Sequence, residues 1–67
     1  MTPEIEALRN DLKAQSLEYL RRNTLPDEND RRRCIWRFAE KLTNASPVAK
    51  ARFVNEVFAE SKMSLQQ

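Results

Sequence analysis

Sixty-seven residues, 12 basic against 10 acidic side chains, no glycine, no histidine and a single cysteine restrict this chain before any motif is considered. One small core is the most it can bury. An internal disulfide and a Cys/His zinc site are excluded for want of ligands, and the missing glycines argue against hairpin turns, phosphate-cradling loops and dinucleotide-binding turns.

The first element begins at "TPE", where Thr2 stands at an N-cap and Pro3 at the first helical position, a place where its fixed φ and missing N–H cost nothing. From Ile5 onward, Leu8, Leu12, Ser16, Tyr19 and Leu20 fall on one side of a helix at 100° per residue. The spacing predicts a helix over about 3–22. Arg21 and Arg22 complement the negative C-terminal end of its dipole, with Glu18 one turn back from both.

"NTLPDEN" interrupts this pattern because Pro26 disfavours helical angles at Leu25. Asp27, Glu28 and Asp30 then suit the start of a second helix, expected over about 27–43 with Ile35, Phe38, Ala39 and Leu42 as its buried stripe. "TNAS" closes it. Ser46 and Pro47 repeat the capped start of the first helix, and Phe53, Val54, Val57 and Phe58 give the third, expected over about 47–62, an apolar face. The final residues, 63–67, read as a frayed tail.

Connections of about four residues fold consecutive helices back on one another. The expected architecture is therefore an all-α, single-domain three-helix bundle over residues 1–67. A helical hairpin whose third helix is swapped into a dimer would bury the same stripes. A core this small seldom supplies more than roughly 3–5 kcal/mol, so self-association is expected to supplement it.

Catalytic and metal chemistry find little support. Without histidine there is no triad or dyad of the usual kind, and Cys34 sits at the margin of the buried stripe, where a packing role suits it better than a nucleophilic one. Glu56 and Glu60 lie one turn apart, and Asp27, Glu28 and Asp30 cluster at a helix start. Their ordinary roles are a surface pair with Arg52 and dipole complementation. No enzyme activity, cofactor or metal is expected. The lone Cys34, with no hydrophobic leader in "MTPEIEAL", points to a reducing, cytoplasmic setting, and no apolar run approaches the roughly 20 residues that span a bilayer.

The second helix carries the most unusual stretch, "DENDRRRCIWRFAEK". Arg33, Arg37 and Lys41 repeat every four residues and form a like-charged column away from Ile35 and Leu42. Arg32, Trp36 and Glu40 form a second column, in which Arg32 is placed to lie over the indole. Trp36 points about 100° from the centre of the stripe.

Three readings fit this face. Trp36 widens the core while the arginines are solvated; or Trp36 anchors a protein partner, including a second copy of the chain, with Arg32, Arg33, Arg37 and Lys41 around it; or Arg21, Arg22, Arg31, Arg32, Arg33, Arg37 and Lys41 contact nucleic-acid phosphates. A helix-turn-helix is disfavoured, because "TNASP" lacks a turn glycine and the would-be recognition helix mixes Lys50, Arg52 and Asn55 with Glu56 and Glu60. The function expected is a small regulatory or protein–protein interaction module, with nucleic-acid binding as the alternative.

Overall fold

A computed structural model describes residues 3–65. Three helices follow in order, α1 (Pro3–Arg22), α2 (Glu28–Ala39) and α3 (Pro47–Leu65), and each packs against both of the others. The fold is the expected all-α three-helix bundle, with α3 docked on the α1 and α2 of its own chain.

The punctuation works as the residue types require. Asp27 caps α2 by accepting from the Asn29 N–H at 2.8 Å, and Ser46 Oγ accepts from the Ala49 N–H at 3.2 Å, each satisfying a donor that has no partner within the first helical turn. Thr2 lies outside the described residues. The core joins Leu12 and Leu20 of α1, Ile35 and Ala39 of α2, and Phe53, Val54, Val57 and Phe58 of α3. Two serines are buried among them. Ser16 and Ser61 donate to the carbonyls of Leu12 and Phe58, both at 2.7 Å, so neither hydroxyl is left without a partner.

The expected boundaries fail in two places. The α2 helix ends at Ala39, four residues before Thr43, because the chain tightens there: Lys41 N–H bonds to the Phe38 carbonyl and Leu42 N–H to that of Ala39, both i→i−3. Leu42 stays buried all the same, now held by a turn. At the other end α3 continues through Met63 and Ser64 to Leu65, residues assigned above to a frayed tail. Residues 66 and 67 lie outside the described residues. The stripe of α1 is also narrower than its spacing suggests, since Leu8 and Tyr19 are exposed.

Cross-helix pairs give the directions. Glu40 meets Lys50, Arg32 meets Asn55 and Glu28 meets Lys62, so α2 and α3 run antiparallel. Arg9 bonds Glu56 while Lys13 reaches Glu60, so α1 and α3 run parallel. The ring of Tyr19 meets that of Phe38 edge-on at 6.1 Å, which brings the C-terminal halves of α1 and α2 together and means that α2 crosses α1. Among the described residues no helix is long and apolar enough to cross a membrane.

Candidate functional site

Arg31, Arg32 and Arg33 leave α2 at successive steps of 100°, and each arrives somewhere different. The Arg31 side chain, 16% exposed, donates from Nη1 to the Leu25 carbonyl at 2.8 Å and fastens the connection between α1 and α2. Arg32 turns onto α3, with its guanidinium 4.3 Å from the centre of the Phe58 ring and a 3.2 Å bond to Asn55 Oδ1. Its expected place over Trp36 is thereby corrected. Lys62 Nζ, at 4.7 Å, and Arg31, at 5.8 Å, lie against the same ring. Arg33 makes no hydrogen bond, ion pair or ring contact with the described residues.

The column Arg32–Trp36–Glu40 exists and lies along α3. Its ends are fixed there, Arg32 by Asn55 and Phe58, Glu40 by Lys50 at 3.3 Å. Helical spacing sets Trp36 midway between these contacts. With a residual exposure of 37% it is not one of the buried core residues, although most of its surface is covered.

The second column is shorter than expected. Arg33 and Arg37 are exposed on α2, but Lys41 lies past the helix end, with its ammonium 5.3 Å from the Phe38 ring. Glu40, three residues beyond Arg37, pairs instead with Lys50. The five residues nominated for a partner therefore do not form one face. Trp36, Arg33 and Arg37 remain together within a turn of α2.

The seven cations nominated for nucleic acid are mostly engaged elsewhere. Arg21 and Arg22 both clamp Glu18, at 2.8 and 2.7 Å, and hold its carboxyl down at about 2. Arg31 and Arg32 are committed to Leu25, Phe58 and Asn55. Burial pushes the Cys34 thiol above its ordinary value, only partly offset by the Arg37 charge, which is opposite to what an activated nucleophile needs.

Glu56 is expected to pair with Arg52, and instead it faces α1 together with Glu60. Arg9 bonds Glu56, while Lys13 bridges Glu56 at 3.1 Å and Glu60 at 2.8 Å. The Lys13 contact pulls the Glu56 carboxyl below its ordinary value, and Glu60 raises the Lys13 ammonium. This ladder was not foreseen, although the signal was present: Arg9 and Lys13 repeat at four residues, as do Glu56 and Glu60, giving two complementary columns. No group of three His, Cys, Asp or Glu side chains among the described residues is placed to hold a metal ion. Comparison of the chain with protein-family models, curated proteins and solved structures gives no match.

Proposed function

We propose that this chain is a small, non-catalytic protein–protein interaction module that docks through Trp36 and the flanking Arg33 and Arg37, with a second copy of the chain as its first candidate partner. The observation that carries this reading is the placement of Trp36. Trp36 is left 37% exposed between two contacts that pin its helix to α3, beside two arginines that form no ion pair with the described residues. A large ring held on a rigid helix gives up little conformational freedom on docking, which is why tryptophan and arginine dominate binding hot spots. The guanidiniums, without ion pairs to the described residues, favour an opposing surface that carries carboxylates, so a second copy docks with a face other than its own Arg33 and Arg37. A cytoplasmic setting belongs to the same proposal and rests on Cys34 being a free thiol.

Nucleic acid is the weaker alternative because four of its seven nominated cations already serve contacts within the protein. The test uses Trp36 as its own reporter, since the chain has no other tryptophan. Across roughly a hundredfold range of concentration, sedimentation should show association, and Trp36 emission should move to shorter wavelength in step with it. Trp36→Ala should keep its helical circular dichroism and lose association. A monomer at every concentration defeats the second-copy reading, and unfolding of Trp36→Ala returns the indole to a structural role. Binding to a DNA or RNA duplex that weakens log-linearly with salt would favour the alternative instead.

A further inference from the structure

The connection from Asn23 to Asp27 does not lie flat on the bundle. Between it, the C-terminal half of α1 and Ser61 of α3 lies a partly enclosed cavity of about 370 Å³. That volume falls at the small end of sites that take small molecules, about 300–1,000 Å³. Its walls are largely apolar, and Leu17, Leu20 and Leu25 are among the residues that line it. Glu18 also borders it, but its charge is already met by Arg21 and Arg22.

Arg31 gives the cavity a polar end. Its Nη1 is bonded to the Leu25 carbonyl, and its Nη2 is 3.9 Å from Glu28, a carboxylate that stands closer to Lys62 at 3.2 Å. Its Nε is buried and has no acceptor. A mostly buried cation with one long, shared carboxylate contact and one orphaned donor is costly unless an anion completes it. Nε is enclosed by protein, so Nη2, with only the long Glu28 contact, is the guanidinium nitrogen left to meet a carboxylate.

We propose that this cavity binds an aliphatic monocarboxylate, its carboxylate on Nη2 of the Arg31 guanidinium and its hydrocarbon chain against Leu17, Leu20 and Leu25. Of the two arginines that line the cavity, Arg21 is paired with Glu18 and Arg31 is left with one long carboxylate contact, which suits one negative charge on a chain. A multiply charged phosphate or nucleotide would leave charges facing leucines. The site is separate from Trp36 and stands whether or not the chain associates.

The test titrates the full ¹⁵N-labelled chain with octanoate, 1-octanol and octylammonium below their micellar concentrations and follows its amide spectrum. Octanoate should shift Leu17, Leu25 and Arg31 saturably, and octanol should bind at least about tenfold more weakly because it lacks the charge-assisted contact. Arg31→Met should lower octanoate to the level of octanol. Because Arg31 also holds the Leu25 carbonyl, Ala14→Leu provides a second variant, narrowing the cavity from the exposed rim of α1, and it should weaken both ligands. Absence of saturable shifts, equal binding of octanoate and octanol, or octanoate binding unchanged in Ala14→Leu each overturns the proposal.

Discussion

The α2–α3 seam and the outer face of α2 draw on the same side-chain chemistry and use it in opposite ways. In the seam, Arg32 and Lys62 lay their charges over the Phe58 ring, while Glu40 and Glu28 meet lysines of α3. On the outer face, Arg33 and Arg37 are one turn apart and form no ion pair with the described residues. Counting basic residues in "RRRCIWR" treats these groups as equivalent. What separates them is what the neighbouring helix presents at each 100° step, so the charge free to meet a partner is far smaller than the charge in the sequence.

Removing the platform should have the largest effect on the seam. Phe58→Ala deletes a buried ring that belongs to the core and also carries three cations. A loss of about 3–5 kcal/mol is expected, comparable to the whole stability of a domain this small. Urea denaturation or loss of helical circular dichroism at 25 °C would read it, and a loss below about 1 kcal/mol would mean that the seam does not depend on this ring.

The two seam arginines should rank in the order of their burial. Arg31→Ala removes the donor to Leu25 from a mostly buried side chain and should cost about 1–2 kcal/mol. Arg32→Ala removes an exposed cation–aromatic contact and should cost about 0.5–1 kcal/mol. Urea midpoints of the two variants at constant m-value give the comparison, and the reverse order would contradict the distinct environments assigned to these neighbours.

Much of this fold can be read from residue spacing, and the failures share a cause. Ile35, Ala39, Phe53, Val54, Val57 and Phe58 are all buried because i, i+3, i+4 spacing reports which side of a helix is apolar. The same spacing extended α2 too far, since Leu42 continues the pattern and is indeed buried, but in a turn. Periodicity marks burial; it does not mark where helical hydrogen bonding stops. The absence of glycine concealed the end of α2, which closes through i→i−3 bonds with no residue at positive φ. In the candidate site, the column of Arg32, Trp36 and Glu40 was legible because its spacing is local. Its partners Asn55, Phe58 and Lys50 lie on another helix, and the same is true of Arg9 and Lys13 opposite Glu56.

The α1–α3 seam offers a sharper contrast because its ladder titrates. Contact with Lys13 holds the Glu56 carboxyl below the ordinary value of 4.5, so its stabilisation is fully present above that pH and fades as the pH falls toward its folded value. The effect should be small, below about 1 kcal/mol, because this carboxyl is 39% exposed and water screens the pair. Melting temperatures of the native chain and of Glu56→Gln should therefore converge between pH 6 and pH 3. Parallel curves over that range would remove the ladder from the stability of the bundle.

The smallest change in stability is expected where the functional claim is largest. Arg33→Ala should leave the unfolding free energy within about 0.5 kcal/mol of the native chain, because the side chain is exposed and makes no hydrogen bond, ion pair or ring contact with the described residues. A slight gain is the expected sign, since a like-charged neighbour four residues away costs about 0.2–0.5 kcal/mol. Arg37→Ala should behave similarly, and the double variant should be no less stable than either single one. If the outer face of α2 serves a partner, the same double variant must weaken association, with the loss growing at low salt, where the unscreened guanidiniums contribute most. Undiminished association would leave Trp36 as the only anchor on this face. A clear loss of stability would show that the two arginines belong to the fold, and the division between the two sides of α2 would fail.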